Sequence, residues 1–125
     1  MSKTVYTDKA PAAIGPYSQA IISGNLVYTS GQIPIVPETG AVEASDIQGQ
    51  TEQVCKNLCE VLSAAGTSIE KAVKTTCFLK NMEDFAKFNE VYAKYFTGKP
   101  ARSCVAVKEL PKGVLVEVEV IAEIG

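Results

Sequence analysis

A lone arginine is the most informative residue in the C-terminal third of the sequence. Arg102 lies early in an apolar, strand-like segment, Pro100-Ala101-Arg102-Ser103-Cys104-Val105. Because a buried guanidinium without a partner is costly, Arg102 is expected to face a carboxylate, and its planar fork suits one bidentately. That carboxylate belongs either to an anionic ligand or, in an ordinary interface salt bridge, to Glu117 or Glu119. The alternation of side chains along a strand places Arg102 and Cys104 on the same face.

Two carboxylates follow in the last strand-like segment of the chain. Glu117 and Glu119 lie on one face of that segment, which we expect to pair antiparallel with the Arg102 strand. One of the two could hold a water molecule or shuttle a proton, or both could be solvated or paired with lysines. Tyr17 and the segment Thr29-Ser30-Gly31-Gln32 offer hydroxyl groups and a close backbone approach, although structural roles in turns fit them equally well.

Composition narrows the chemistry that these residues can perform. The chain has 125 residues and carries 12 Lys and Arg against 14 Asp and Glu, a net charge of −2 that argues against nucleic-acid binding. It contains no histidine, which removes histidine triads and histidine metal sites. No phosphate-binding or dinucleotide fingerprint is present. We therefore expect no metal and no cofactor, and the four cysteines are interpreted as buried, reduced thiols rather than zinc ligands or disulfides.

The same features indicate one domain over residues 1–125, because 46% apolar residues can build a core at this length. The N-terminal residues lack the apolar run of a signal peptide, and no apolar stretch has the length that spans a bilayer. The sequence thus predicts a cytoplasmic protein without membrane contact.

Hydrophobic periodicity predicts the elements that position these residues. A Gly24-Asn25 turn joins two strands, and a second helix follows a strand. The first, amphipathic helix can be capped at its start by Ser45 or Asp46, and Gly66 lies where a left-handed C-terminal cap would. The predicted segments are strands at Gln19–Ile22, Leu26–Ile33, Ala72–Lys80, Ala101–Val107 and Val114–Ile124, helices from Asp46 and from Met82 to Phe96, and a loop excursion at Pro34–Ala44.

Together these elements predict an α+β fold, a single mixed β-sheet with two helices packed on one face in the order β-β-β-α-β-α-β-β. The valines of the last strand should lie under the helices, and the connection from Leu26 to Lys80 should be a parallel crossover. The opposite face of the sheet stays uncovered in a single chain. Oligomerisation, in a closed ring, is the expected way to bury it.

Four segments of this sequence resemble the Rid/YjgF family of reactive-intermediate imine and enamine deaminases. The likeness runs in the family's order from Lys3 to Ala122. The segments are Ala10-Pro11-Ala12-Ala13-Ile14-Gly15-Pro16-Tyr17-Ser18-Gln19, Thr29-Ser30-Gly31-Gln32-Ile33-Pro34, Val73-Lys74-Thr75-Thr76-Cys77-Phe78-Leu79 and Pro100-Ala101-Arg102-Ser103-Cys104-Val105. The resemblance implies a chorismate-mutase-like fold and a homotrimer with clefts between the subunits.

The resemblance also implies an activity and a set of site residues. The activity is hydrolysis of 2-aminoacrylate, 2-aminocrotonate and related imines to 2-keto acids and ammonia. Arg102 would bind the substrate carboxylate, and Glu117 would position or activate the attacking water. The remaining cleft residues carried over by motif are Tyr17, Ser30, Gly31, Asn89 and Cys104.

Two other functions remain as alternatives, and one segment departs from the family pattern. The first alternative is a non-catalytic module that binds or senses small carboxylates such as keto acids, and the second, less favoured by the acidic composition, is a ribonuclease. Family members usually carry an aromatic residue and a longer loop before Pro-Ala-Arg, where this chain has Phe96-Thr97-Gly98-Lys99-Pro100. This shorter loop bears on substrate range.

Overall fold

A six-stranded mixed sheet forms the centre of the computed structural model, which describes residues 2–125. The strands are β1 (Ser2–Val5), β2 (Ala20–Ser23), β3 (Leu26–Thr29), β4 (Ile35–Val36), β5 (Ala41–Val42), β6 (Ala72–Leu79), β7 (Ala101–Ala106) and β8 (Val116–Glu123). Their order across the main sheet is β1-β2-β3-β8-β6-β7, and β4 and β5 pair as a separate ribbon. The predicted order β-β-β-α-β-α-β-β is confirmed for the main sheet, with the ribbon added inside the predicted excursion.

The two predicted helices are present and lie side by side. They are α1 (Ile47–Ala64) and α2 (Phe85–Tyr95), and a single 3₁₀ turn precedes α2. Asp46 caps α1, because its Oδ1 accepts a hydrogen bond of 2.8 Å from the backbone N–H of Gly49. Gly66 follows the end of α1 with φ of 86°, the left-handed conformation that a helix terminus favours.

One face of the sheet lies under these helices. The valines of β8, Val116, Val118 and Val120, are almost completely buried, as predicted, and join the same core as Leu58 of α1 and Phe88 of α2. The alternate residues of β8 point to the other face, which no helix covers. The periodicity of two along β8 therefore separates a helix-covered face from a bare face.

The prediction that β8 pairs with the Arg102 strand was wrong. The last strand lies between β3 and β6 and is antiparallel to both, while β7 is an edge strand parallel to β6. Helix α2 makes the crossover that such a parallel pair requires. As a result β3 and β6 run in the same direction, as the predicted crossover requires, but they are separated by β8.

This strand order places Arg102 and Glu117 on opposite faces of the sheet. Thr75 of β6 lies opposite both Arg102 and the buried Val120, so Arg102 points to the helix-covered face. Phe78, three residues after Thr75 in β6, lies opposite Glu117. Because residues an odd number of positions apart along a strand point to opposite faces, Glu117 points to the bare face. A salt bridge from Arg102 to Glu117 or Glu119 of the same chain is thereby excluded.

Candidate active site

Four of the residues predicted for the site line one pocket on the bare face. Tyr17, Ser30, Gly31 and Glu117 surround a cavity of about 380 Å³, which we call the Glu117 pocket. Its other walls come from the N-terminal loop, the β4–β5 ribbon and the turn before β8; they are Pro11, Ala12, Ile14, Gln19, Gln32, Ile33, Ile35, Pro111 and Lys112. The structure therefore brings together the hydroxyl-bearing loop residues and the carboxylate of the predicted site.

Gly31 allows the Glu117 side chain to lie where it does. Gln32 forms an isolated bridge with Val118, through backbone N–H···O bonds of 2.8 and 3.2 Å, and so holds the segment beside β8. A Cβ atom on Gly31 would lie 2.8 Å from Cδ of Glu117 and would overlap its Oε2. A side chain at position 31 would displace the carboxylate, so the glycine is required by close approach rather than by an unusual φ.

Sequence reasoning missed Gln19, which anchors the wall of the Glu117 pocket. Its side chain is 2% exposed. Its Oε1 accepts a hydrogen bond of 2.7 Å from Thr7 N–H, and its Nε2 donates to the carbonyls of Thr7 and Pro11 at 3.0 and 2.9 Å. Ser30 Oγ donates to the Ser18 carbonyl at 2.6 Å. A polar residue at the start of an apolar strand was the available signal, because buried amides must be paired.

Burial changes the acidity of the carboxylate in this pocket. Glu117 is half-buried, and this burial raises the pKa of its carboxyl group above the ordinary value, with a smaller rise from the Glu119 carboxylate. A raised pKa keeps the carboxylate basic and makes proton transfer to and from it easier near neutral pH. Glu117 therefore has the properties of a general base that can also return a proton.

Arg102, the chain's only arginine, is held on the opposite face by α2. Its Nη1 donates a hydrogen bond of 2.8 Å to Oδ1 of Asn89, so the structure brings these two predicted residues into contact. Its Cζ lies 4.7 Å from the ring centroid of Tyr92 and 5.4 Å from that of Phe85. Both contacts orient the guanidinium without neutralising it, since the partners are a neutral amide and aromatic faces.

A second cavity opens beside the arginine. This pocket of about 470 Å³, which we call the Arg102 pocket, lies between the end of α2 and the start of β7, and Tyr92, Phe96, Lys99, Pro100 and Arg102 are among its walls. The short loop that departs from the family pattern thus forms part of its rim. A positive charge beside aromatic walls suits a small organic anion.

Cys104 lies next to this arginine on the helix-covered face, as the alternation predicted. It is opposite Cys77 across the β6–β7 pair. Burial raises the pKa of the Cys104 thiol, and the nearby positive charge of Arg102 opposes that rise more weakly. The thiol is therefore protonated at neutral pH, so Cys104 has the character of a wall rather than of an activated nucleophile. All four cysteines are free, and Cys55 and Cys77 are buried.

Among the described residues 2–125, no group of three or more Cys, Asp or Glu side chains is arranged to hold a metal ion. Neither helix in that range combines the length and the apolar character needed to cross a membrane.

The comparisons with known proteins show the family. A family model described as Endoribonuclease L-PSP matches residues 7–124, and it represents the Rid/YjgF family. The chain belongs to the Rid/YjgF family. A RutC family protein of Pyrococcus horikoshii is 53% identical over 98% of each chain. The 2-iminobutanoate/2-iminopropanoate deaminase of Salmonella typhimurium is 50% identical, also over 98% of both chains.

Solved structures of similar sequence share the fold. A protein of the conserved Rid family from Yersinia pestis superposes with a TM-score of 0.96 at 52% identity, covering 99% of this chain and 100% of its own. E. coli TdcF, solved with bound serine, superposes with a TM-score of 0.93 at 43% identity over 98% of this chain and 99% of its own. The predicted fold class and family are therefore confirmed.

Proposed function

We propose that this Rid protein hydrolyses reactive 2-imino acids, and their enamine tautomers, to 2-keto acids and ammonia. Curated relatives at about 50% identity over nearly the whole chain carry the name 2-iminobutanoate/2-iminopropanoate deaminase. The observation that carries the proposal is chemical: the chain's only arginine and a carboxylate with a raised pKa each border an open pocket. These are the two groups that such a hydrolysis needs.

The two groups lie on opposite faces of the sheet, so a second copy of the chain must bring them together. We propose a homotrimer in which the Arg102 pocket of one subunit faces the Glu117 pocket of its neighbour. The bare face supports this arrangement because it exposes large apolar side chains beside its acidic ones: Tyr28 is 42% and Val105 is 46% exposed. An uncovered face of this kind is typical of a subunit interface.

The proposed reaction assigns a role to each side. The guanidinium of Arg102 binds the substrate carboxylate as a fork, and Asn89 holds the guanidinium in orientation. Glu117 accepts a proton from water as the water oxygen attacks the imine carbon, giving a carbinolamine. The same carboxyl group then returns this proton to the nitrogen. As the C–N bond breaks and the C=O bond forms, the carboxylate takes the proton of the carbinolamine hydroxyl and passes it to the departing ammonia, which leaves as ammonium.

The remaining residues shape the cleft. Tyr17, Ser30, Gly31 and Cys104 line it, and the protonated imine is electrophilic enough that positioning and one base suffice. The proposal requires neither a cofactor nor a covalent nucleophile. One domain over residues 1–125, a cytoplasmic location and the absence of nucleic-acid binding stay predictions from the sequence.

The two alternatives make different demands on the structure. A small-carboxylate sensor needs Arg102 but has no use for a basic Glu117 in a second pocket. A ribonuclease, the activity in the description of the family model, needs a positively charged track for the phosphate backbone, whereas the Glu117 pocket is lined by only one lysine beside its carboxylate and the chain has no histidine. We therefore favour the deaminase.

The test measures imine loss directly. A dehydratase that releases 2-iminobutanoate from threonine is run with and without the protein, and disappearance of the imine is followed. We expect the wild-type protein to accelerate it and Arg102→Ala to lose that acceleration, while Lys94→Ala, an exposed substitution on α2 outside both pockets, retains it. Equal acceleration by the wild-type and Arg102→Ala proteins would contradict the assignment.

A further inference from the structure

Two lysines have a backbone conformation that lysine rarely adopts. Among the described residues 2–125, the only non-glycine residues with positive φ are Lys99, at 52°, and Lys112, at 57°. Lys99 borders the Arg102 pocket, and Lys112 borders the Glu117 pocket. Glycine or asparagine would occupy the left-handed region at lower cost, so the lysine side chain needs another reason to be there.

The loop fixes Lys99 on the rim of the Arg102 pocket. On the N-terminal side of Lys99, a Cβ atom on Gly98 would lie 2.6 Å from the backbone carbonyl oxygen of Glu70, so Gly98 packs against the 3₁₀ turn that precedes β6. On the other side Pro100 restricts φ. The backbone N–H of Lys99 donates a hydrogen bond of 3.2 Å to the carbonyl of Phe96. The position of the Lys99 Cα atom is therefore set by the backbone rather than free.

Lys99 and Arg102 place two positive charges on one pocket. None of the described residues lining the Arg102 pocket is acidic, and its other walls are mainly aromatic and apolar. Three residues of extended chain span at most about 11 Å, so both cationic side chains can reach one small molecule. Arg102 is already oriented by Asn89 and Tyr92, whereas Lys99 is exposed.

We infer that Lys99 is a specificity-determining residue that binds a second carboxylate, so that the pocket favours 2-imino acids with an acidic side chain. This inference rests on the proposed function, since Arg102 is assigned to the carboxylate beside the imine. A short dicarboxylate would satisfy both cations, and a charge-assisted contact made only by the dianion favours it over a neutral analogue. Lys99 therefore sets the substrate class and leaves the chemistry to Glu117.

The kinetic test compares two substrates that differ in one charge. An amino-acid oxidase generates 2-iminoglutarate from glutamate or its neutral amide analogue from glutamine, and the decay of each imine is measured with 2-iminobutanoate as reference. We expect the wild-type protein to favour 2-iminoglutarate over the amide about tenfold in kcat/KM. Lys99→Met should abolish this preference, and Lys99→Arg should retain it.

Two further variants distinguish the effect of the Lys99 charge from that of its backbone conformation and from that of the overall charge of the protein. Lys99→Gly suits the left-handed backbone and should fold normally while losing the preference, and Lys94→Met removes a positive charge outside the pocket and should change nothing. A wild-type protein without the preference, or an unchanged preference in Lys99→Met, would overturn the inference while the deaminase proposal stands.

A binding measurement keeps the two proposals distinguishable. Calorimetry with the stable products should show tighter binding of 2-oxoglutarate than of 2-oxobutyrate, and the difference should disappear in Lys99→Met. If no imine is hydrolysed by the wild-type protein, the proposed deaminase activity fails, and this titration alone decides the selectivity of the pocket. Equal affinities for the two keto acids in the wild-type protein would overturn the role of Lys99.

Discussion

The Glu117 pocket and the Arg102 pocket lie on opposite faces of one sheet and are built in different ways. Glu117 is positioned by close contact, with its carboxylate against the Cα of Gly31 and a loop wall anchored by the buried amide of Gln19. Arg102 is positioned by aromatic faces and a single hydrogen bond to Asn89. The carboxylate is therefore held by sterics, and the guanidinium by weaker and more adjustable contacts.

The Glu117 side and the Arg102 side therefore differ in the changes that they tolerate. The contact between Gly31 and Glu117 leaves almost no room for an added atom. Arg102, by contrast, should tolerate the loss of one of its contacts with a modest change in affinity for the substrate. In the proposed reaction the two sides have different tasks. Glu117 carries out the proton transfers, which affect kcat, and Arg102 binds the substrate carboxylate, which affects KM.

The largest effect is expected when the base is removed. Glu117→Gln should lower kcat about 100- to 10,000-fold, because general base catalysis contributes about that factor. Glu119→Gln is the matched control, since Glu119 lies on the same face but is exposed, and it should stay within about threefold of wild type. Steady-state kinetics on 2-iminobutanoate measure both. A similar loss of kcat in the two variants would show that the negative charge of the bare face, rather than the Glu117 carboxylate itself, supports the reaction.

A methyl group on Gly31 should give the next largest effect. Gly31→Ala displaces the Glu117 carboxylate, and a misplacement of about 1 Å can lower kcat about 100-fold. The overpacking should also cost about 1–3 kcal/mol of unfolding free energy. In a Glu117→Ala background the obstructing carboxylate is gone, so this stability cost should disappear. Denaturant unfolding of the wild-type protein, the two single variants and the double variant measures this coupling. An equal loss of unfolding free energy from Gly31→Ala in both backgrounds would show that Gly31 does not position the Glu117 carboxylate by close contact.

Loss of the Asn89 contact should give a smaller effect on the other half. Asn89→Ala removes the hydrogen bond that orients Arg102 and should raise KM about tenfold, with kcat changed less than about threefold. Asn89→Asp should raise KM further, because the new carboxylate competes with the substrate for the guanidinium. An effect on kcat that exceeds the effect on KM would place Asn89 in the chemistry instead.

The smallest expected effect is a shift in the pH dependence of activity, which distinguishes the role of Glu117 from that of Glu119. Because the pKa of Glu117 is raised, activity should decline with falling pH earlier than an ordinary carboxyl group would dictate, and Glu119→Gln should move that decline to lower pH. Between the ordinary carboxyl pKa and the raised one, the folded protein binds more protons than the unfolded chain. Stability should therefore fall as pH rises through this window.

Glu117→Gln is the control for this linkage, because it cannot titrate. Its unfolding free energy should lack the decrease that the wild-type protein shows as pH rises through the window. Rate profiles and denaturant titrations at matched pH values give both readouts. An unshifted rate profile in Glu119→Gln would remove Glu119 from the electrostatics of the site.

Local patterns in the sequence predicted the elements and much of the site. Periodicity located both helices and the buried valines of β8, and the motifs grouped Tyr17 with Ser30 and Gly31. The pairing of β8 could not be read in this way. Strands adjacent in sequence often pair, but β8 inserts between β3 and β6, and such long-range pairing is decided by the packing of the whole sheet.

The position of β8 also decides which face of the sheet each site residue occupies. Arg102 and Glu117 belong to different faces, a fact that depends on register across β6 and that no local spacing encodes. The role of Gln19 was missed for a related reason, because its partners at Thr7 and Pro11 lie in a loop without periodicity.

The most direct test of a site shared between subunits mixes two inactive proteins. Arg102→Ala retains Glu117, and Glu117→Gln retains Arg102, so in the proposed trimer a mixed assembly contains a cleft in which both residues are intact. If equal amounts exchange subunits at random, about a quarter of the clefts are complete, and about a quarter of the wild-type activity should return. If each cleft used Arg102 and Glu117 of the same chain, every cleft would lack one of them, and a mixture that stays inactive after confirmed subunit exchange would contradict the account.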